Sequence, residues 1–244
     1  MIKFENTEVF NFEGALRGMR NPLNSWDKSD SGLGCRERRT WVTIEKSNKL
    51  CKNCAATYDS HAFCNGYKEF IFGDNDLALA QRLIKAGSDH RKFLRQIFVS
   101  VDITAPLYWW KEFDTYKVGT VANSCSTMHT IHKKEFTLDD FSFDRLYSPY
   151  DAEDLGSEEL ITHILRTLNR YRERYLETKS KDDWYQLIQL LPTSYNQRRT
   201  VTLSYENLYA IRHSDRQYHR LDEWRVGVMN WIDSLPYAEE LIKI

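Results

Sequence analysis

The chain has 244 residues, of which 41% are hydrophobic and 28% are charged, and this composition is typical of a folded protein. The formal net charge of −1 excludes a general positive field for nucleic acid or an anionic membrane, so an anionic ligand requires local Arg or Lys groups. No apolar segment approaches the roughly 20 residues of a membrane span, and the first residues lack a signal-peptide hydrophobic region, so we expect a cytoplasmic protein.

The N-terminal third predicts a strand, a turn-rich stretch and then a polar insertion. Residues 21–25 read Asn-Pro-Leu-Asn-Ser, which is typical of turns. From about 30 to 70 the chain is polar and contains four cysteines, a cluster that in a cytoplasmic protein more often binds metal than forms disulfides. Four thiolates would complete a tetrahedral structural zinc site, and free thiols are the alternative. These cysteines are Cys35, Cys51, Cys54 and Cys64.

The middle of the chain predicts a helix, a strand, a second helix and a loop. Apolar residues at helical spacing from Asp74 to Gly87 predict the first helix, which Gly87 ends. Residues 96–105 alternate β-branched with other side chains and predict a strand. Pro106 suits the first turn of an aromatic helix, and the small polar residues of 117–130 predict a loop.

The C-terminal half predicts four helices and one strand, so the chain is of the mixed α/β (α+β) class. With no repeat and no long linker, we expect a single domain over residues 1–244 that carries the insertion at about 30–70. The predicted helices are Ser157–Lys179, Asp182–Leu191, Tyr205–Arg212 and Leu221–Leu235, and the predicted strand is Arg199–Ser204.

Three segments, in order, resemble the flavin-dependent thymidylate synthases. The first follows Pro106, where the family has a short aromatic helix and then R-H-R-x-x-S-x-N-E-x-S-x-R. The family's R-H-R falls on residues 115–117, with Tyr116 and Lys117 at its second and third positions, and its first Ser falls on Thr120. The family's Gln before R-H-R corresponds to Glu112. With one inserted residue, the rest of the motif falls on 123–128, and Asn123 and Ser126 match it.

The other two segments lie near the C-terminus. After Leu191-Pro192 the family has a strand with a nucleotide-binding Arg, which falls on Arg198. Residues 216–225 are similar to the family's R-x-x-x-H-A-Q-x-E-I-R with one residue of gap, and they supply Arg216 and His219. The resemblance covers most of the chain outside residues 30–70 and 135–155.

The resemblance implies a central, mostly antiparallel sheet flanked by long helices. It also implies an enzyme that transfers a one-carbon unit from methylene-tetrahydrofolate to C5 of dUMP or a related pyrimidine deoxynucleotide. FAD and NADPH would provide the reducing equivalents, and the family's homotetramer would be the assembly. Because the cofactor carries the difficult chemistry, the protein has to supply anion clamps and positioning groups.

The resemblance divides the candidate site residues by role. We expect Arg198 and Arg216 to serve catalysis and to bind the substrate phosphate, since the planar guanidinium makes bidentate bonds to phosphate. Further expected substrate contacts come from Glu112, which would accept from a pyrimidine N–H, and from Ser126. The expected flavin contacts are Tyr116, Lys117, Thr120, Asn123 and His219.

Two other functions stay open from the sequence. Thr115, Ser124 and Met128 stand where the family has Arg, Glu and Arg, which favours a nucleotide-binding homologue that has lost flavin chemistry. A zinc-stabilised nucleic-acid module, with arginines around the cysteines, is the other alternative. The net charge and the long helices argue against it, so we expect no nucleic-acid partner.

Overall fold

A computed structural model describes residues 2–35, 40–41, 68–147 and 156–244, with only the backbone given for 34–35, 40–41 and 68–69. The chain forms two compact units. The first comprises Met1–Glu8, Ser100–Thr202 and Tyr218–Val228, and the second comprises Val9–Val99, Leu203–Gln217 and Met229–Ile244. The single domain expected from the sequence stays a prediction.

Seven described strands form two sheets. A four-stranded sheet has the order β1-β5-β7-β6, and a three-stranded sheet has the order β3-β2-β4. Strand β6 runs antiparallel to β7, and β2 runs antiparallel to both of its neighbours. The strands are β1 (Lys3–Phe10), β2 (Gly32–Cys35), β3 (Thr40–Trp41), β4 (Lys68–Ile71), β5 (Phe98–Pro106), β6 (Val121–Ser124) and β7 (Asn196–Ser204).

Nine α-helices are described, and with the antiparallel pairing of the strands they confirm the predicted fold class. The longest is the predicted helix after residue 156, which has 22 residues. None of the described helices is both long and apolar enough to cross a membrane. The helices are α1 (Phe12–Arg20), α2 (Asp74–Lys85), α3 (Leu107–Phe113), α4 (Thr127–Thr130), α5 (Ser157–Thr178), α6 (Lys181–Gln189), α7 (Tyr205–Arg212), α8 (Met229–Asp233) and α9 (Ala238–Leu241).

Strand β5 has the two-faced character that its alternation predicts. Val99, Val101 and Ile103 are buried on one face, while the residues between them are half-buried on the other. Asp102 lies on this second face, together with Ser100 and Thr104. The strand therefore carries a carboxylate in the interior of a sheet, where aspartate is rare.

Two stretches differ from the prediction. Residues 117–130 were expected to be a loop, but they contain β6 and the short helix α4. All four residues of β6 are exposed, so its sequence lacks the alternation of a strand with one buried face, and it forms because its backbone pairs with β7. The turn-rich stretch expected after β1 contains helix α1, which buries Phe12, Leu16 and Met19 at helical spacing.

The last predicted long helix is also different in kind. Instead of one α-helix over 221–235, the chain forms a π-helix at Glu223–Val228 and then α8. The π-helix buries Trp224 and Val228. Wider turns of this type are rare, and they often occur at functional sites.

The first unit has a core between its long helices and the segment that follows α4. Helices α5 and α6 pack against each other in this unit. Leu168 of α5 and Leu187 of α6 are fully buried, and they cluster with Ile131, Phe136 and Phe141. This cluster holds the residues after α4 against the middle of α5.

The second unit contains a buried ion pair between α1 and α2. Arg20 Nε lies 2.5 Å from Asp76 Oδ1, and both side chains are at most 5% exposed. Asp76 also accepts from the Ser29 hydroxyl at 2.7 Å and from the Ser31 backbone N–H at 3.1 Å. Burial by itself would raise the pKa of Asp76, but the hydrogen bonds from Ser31, Ser29 and Arg20 outweigh it, so the pKa lies below its ordinary value.

Candidate functional site

Helix α3 brings the predicted residue Glu112 to the surface of the first unit. Pro106 precedes the helix, and Trp109, Trp110 and Phe113 turn into the core, so Glu112 remains on the half-exposed side. Its Oε2 lies 3.2 Å from Nε2 of His219. Two residues that the resemblance assigns to different ligands, substrate and flavin, are therefore direct partners.

The backbone fixes the tautomer of His219. The N–H of Leu221 points at His219 Nδ1 over 3.1 Å, so this ring nitrogen accepts and carries no proton. The proton of the neutral ring then resides on Nε2, which donates to the Glu112 carboxylate. This hydrogen bond orients the carboxylate of Glu112.

An aromatic wall adjoins the Glu112–His219 pair. The ring of Tyr116 lies 6.3 Å from Phe113 and 5.9 Å from Trp224, measured between ring centroids. His219 meets the same Trp224 edge-on at 6.4 Å. Glu112, Tyr116 and His219 are thus grouped around Trp224, a buried residue of the π-helix that was not among the predicted site residues.

The segment after Tyr116 is held against β7. Asn123 of β6 pairs with Thr200 of β7, and the N–H of Cys125 donates to the carbonyl oxygen of Arg198 at 2.9 Å. Lys117 is exposed. The structure therefore brings the predicted loop residues alongside the strand that carries Arg198.

Two hydroxyl groups in this segment have different environments. Ser126 caps helix α4, because its Oγ accepts from the backbone N–H of His129 at 3.1 Å. The hydroxyl of Thr120 is buried and has no hydrogen-bond partner within the part of the chain that the structure describes. A buried hydroxyl without a partner is costly, so Thr120 is the better candidate for contact with a bound ligand.

Arg198 is held by a carboxylate that the sequence analysis missed. Its Nη2 lies 2.7 Å from Asp102 Oδ2 on the neighbouring strand β5. Asp102 also accepts from the Thr200 hydroxyl at 2.5 Å and from the Asn6 side-chain amide at 2.8 Å. An aspartate among the β-branched residues of 96–105 was the signal that would have identified it.

The same contacts set the charge states of this pair. The hydrogen bond from Thr200, followed by those from Asn6 and Arg198, lowers the pKa of Asp102 below its ordinary value. The hydrogen bond to Asp102 raises the pKa of Arg198 in turn. Glu5 lies farther from the guanidinium, with its Oε2 at 3.7 Å from Nη1. Arg198 therefore stays charged, and its guanidinium is oriented by Asp102, which accepts from one of the five N–H donors of the arginine.

The remaining predicted residues lie elsewhere. Arg216 belongs to the second unit, in the 3-10 turn Asp215–Tyr218, so its participation stays a prediction. Cys51, Cys54 and Cys64 fall outside the described residues, and of Cys35 only the backbone is described. In the described ranges, no group of three or more His, Cys, Asp or Glu side chains has the arrangement of a metal site.

Two cavities lie apart from these residues. One of about 1070 Å³ in the second unit is lined by aromatic rings such as Phe12, Phe72 and Tyr237. Another of about 800 Å³ in the first unit has Phe141 and Phe143 in its wall. Neither is lined by a predicted site residue.

Comparisons with known proteins give the fold. No protein-family model matches the chain, and neither does any curated protein. A solved structure of thymidylate synthase X from Helicobacter pylori with FAD and dUMP is 13% identical, with a TM-score of 0.59, and the match covers 99% of this chain and 96% of that one.

Two further solved structures are similar to the chain. A second structure of the flavin-dependent thymidylate synthase from H. pylori, complexed with FAD and dUMP, has a TM-score of 0.58 at 13% identity and covers 99% of this chain and 97% of that one. The other is a UMP/dUMP methylase, PolB, from Streptomyces cacaoi, which is 14% identical with a TM-score of 0.48. The match covers 70% of this chain and 83% of the PolB chain.

Proposed function

The chain has the fold of the flavin-dependent thymidylate synthases, and from this premise we propose that it transfers a one-carbon unit to C5 of dUMP or a related pyrimidine deoxynucleotide. The solved structures with this fold contain FAD and dUMP. One observation on this chain carries the proposal. The guanidinium of Arg198 is oriented by a hydrogen bond to Asp102, and Arg198 lies beside the segment that contains Thr120 and Asn123.

In this proposal Arg198 binds the nucleotide phosphate. A guanidinium that is fixed by a carboxylate retains N–H donors for a second anion, and it loses less rotamer entropy when that anion binds. Arg216 would complete the clamp, as the resemblance implies. Ser126 would contact the substrate while its Oγ caps α4.

Glu112 and His219 recognise the base in this proposal. The neutral His219 donates to Oε2 of Glu112, and the carboxylate oriented in this way would accept the N–H of a pyrimidine ring. A site built to accept this proton discriminates against rings that lack it, because the carboxylate would then lose its partner. His219 acts here as a positioning residue for Glu112.

Some of the residues that the resemblance assigns to flavin binding fit a bound flavin. The buried, unpartnered hydroxyl of Thr120 fits a polar flavin atom, and Tyr116 offers a ring for stacking. Lys117 and Asn123 supply further polar contacts, whereas the Thr115 hydroxyl is engaged by the carbonyl of Glu112 at 2.7 Å. A bound flavin would supply the hydride that reduces the transferred carbon. NADPH and methylene-tetrahydrofolate as co-substrates and a homotetramer belong to the proposal by resemblance. The cytoplasmic location expected from the sequence is part of it as well.

A second function, nucleotide binding without flavin chemistry, is favoured by one observation. Thr115 and Met128 replace two cationic residues of the family's motif, and Lys117 is the cation that remains in the R-H-R positions. Such a homologue would keep Arg198 and Glu112 for the nucleotide and would have no turnover. A structural zinc in the insertion is compatible with both functions and stays a prediction.

One set of measurements separates these functions. We expect the purified protein to be yellow or to take up added FAD, to bind dUMP, and to release tritium from dUMP labelled at C5. Binding of dUMP with no flavin uptake and no tritium release would select the non-catalytic homologue. A colourless protein that binds neither ligand would refute both.

A further inference from the structure

A group of basic side chains in the first unit lies outside the proposed nucleotide site. His132 follows helix α4 and meets Tyr175 of α5 edge-on, with ring centroids 4.8 Å apart. Lys133 is next to it in the chain, and Arg172 and Lys179 approach it from α5 and its C-terminal end. We call His132, Lys133, Arg172 and Lys179 the basic cluster.

The positive charge of the basic cluster is not balanced by neighbouring carboxylates. Lys133, Arg172 and Lys179 form no ion pair with an acidic residue among the residues described. Two adjacent cations do have such partners: Lys134 Nζ lies 3.0 Å from Asp140, and Arg174 Nε lies 3.1 Å from Asp183. Lys179 instead lies over the ring of Tyr175, with Nζ 5.6 Å from its centroid. Asp140 and Asp183 are thus paired with cations that neighbour the cluster and not with the cluster itself.

Two nitrogen atoms of the cluster are buried without a hydrogen-bond partner in the described chain. They are Nε of Arg172, which is always a donor, and Nδ1 of His132, which is a donor in one tautomer. A buried donor left unsatisfied costs free energy, and an anion that accepted from both nitrogens would remove this cost.

The lowered pKa of His132 agrees with an excess of positive charge at this position. Burial, and then the charges of Lys179, Lys133 and Arg172, lower the pKa of His132 below its ordinary value. None of the causes of this shift is a carboxylate. An anion bound here would oppose these charges and raise the pKa of His132.

We propose that the basic cluster is a binding site for a phosphate group, with Arg172 Nε and His132 Nδ1 as direct donors and with Lys133 and Lys179 supplying charge. The planar guanidinium and a ring N–H suit the oxygens of a phosphate. The phosphate is either inorganic or part of a nucleotide. The cluster would bind the same anion in both cases, and only the nucleotide adds a sugar and a base.

The test follows the His132 ring by NMR while inorganic phosphate is added to the full-length protein. Sodium chloride at matched ionic strength is the control, because screening alone changes a histidine pKa. The expected result is a saturable shift of the His132 signals and a His132 titration that moves to higher pH. The absence of any saturable shift beyond that seen with chloride would overturn the proposal.

Matched variants identify the donors. Arg172→Gln should weaken phosphate binding about tenfold, as expected for the loss of a charge-assisted hydrogen bond. Arg166→Gln removes an exposed arginine from the same helix and should leave binding unchanged. If Arg172→Gln fails to fold, the exposed Lys133→Gln replaces it and should also weaken binding. Equal losses in Arg166→Gln and the cluster variants would contradict a specific site.

The source of the phosphate is resolved with three ligands in an Arg198→Ala background, which removes the proposed nucleotide anchor. Tighter binding of dUMP than of inorganic phosphate at His132 would assign the site to a nucleotide, and equal binding would assign it to the free anion. Deoxyuridine, which lacks the phosphate, should cause no shift. A shift with deoxyuridine as large as with dUMP would refute a phosphate site.

Discussion

Arg198 donates from Nη2 to Oδ2 of Asp102 at 2.7 Å, so the proposed phosphate anchor is oriented by a carboxylate on the adjacent strand. Thr200 and Asn6 hold this carboxylate from the strands on either side. Asp102 is therefore a positioning residue in the proposed site, and Arg198 is the group expected to contact the ligand.

We expect Arg198→Ala to weaken dUMP binding by tenfold or more, since hydrogen bonds to a charged group contribute about that much. Asp102→Asn should have a smaller effect, because the arginine remains but is less well oriented. Calorimetric titration with dUMP measures both. Arg82→Ala, an exposed change on α2, is the control. Unchanged affinity in Arg198→Ala would remove this residue from the site.

The Asp102 network also predicts an acid-side effect on stability. Because the folded-state pKa of Asp102 is lowered by Thr200, Asn6 and Arg198, its contribution is present above the unfolded-state value of about 3.9 and is lost as the pH falls towards the folded-state pKa. The Tm of Asp102→Asn should therefore depend less on pH below about pH 4 than that of the unchanged protein. Parallel Tm profiles would contradict a lowered pKa.

His219 offers a test of the tautomer argument. Because Nε2–H donates to Glu112, a glutamine can place an amide N–H near the same position, whereas alanine leaves the carboxylate unoriented. We expect His219→Gln to keep more dUMP affinity than His219→Ala. The ratio of the two dissociation constants, with circular dichroism spectra to verify folding, measures this. Equal losses in the two variants would show that the ring itself, and not the donated proton, matters.

The two arginines of helix α1 form a matched pair for stability. Arg20→Ala leaves Asp76 buried without its partner and should cost about 3–5 kcal/mol of unfolding free energy. Arg17→Ala breaks an exposed contact with Glu13 and should cost at most about 1 kcal/mol. Chemical denaturation of both variants tests the contrast. Similar losses would mean that the buried pair contributes no more than an exposed one.

Much of the fold could be predicted because its main elements have strong local patterns. The alternation of residues 96–105 gives β5, and the apolar spacing after Ser157 gives α5. Strand β6 could not be predicted in this way, because all its side chains are exposed and its formation depends on pairing with β7, some 80 residues later by sequence number. Helix α1 was missed although Phe12, Leu16 and Met19 have helical spacing, because the turn residues after it dominated the interpretation.

The candidate site was predictable only in part, because its contacts join residues that are far apart in the sequence. The resemblance selected Glu112 and His219, but their contact joins positions that are far apart in the sequence. Asp102 was overlooked because its role depends on Arg198, which is 96 residues away. Trp224 is positioned by a π-helix. The apolar spacing of residues 221–235 does not distinguish a π-helix from an α-helix, so this position could not be predicted.

The pairing of β2 with β4 has a consequence for how this chain tolerates change. Cys35 and Lys68 are register partners on adjacent antiparallel strands, so the chain leaves and returns at neighbouring points. A short hairpin turn has the reach to connect these two residues directly. The intervening residues include β3 (Thr40–Trp41), which pairs with the other side of β2, so replacing the whole segment by a short turn would keep the pairing of β2 with β4 but would remove β3 from the sheet.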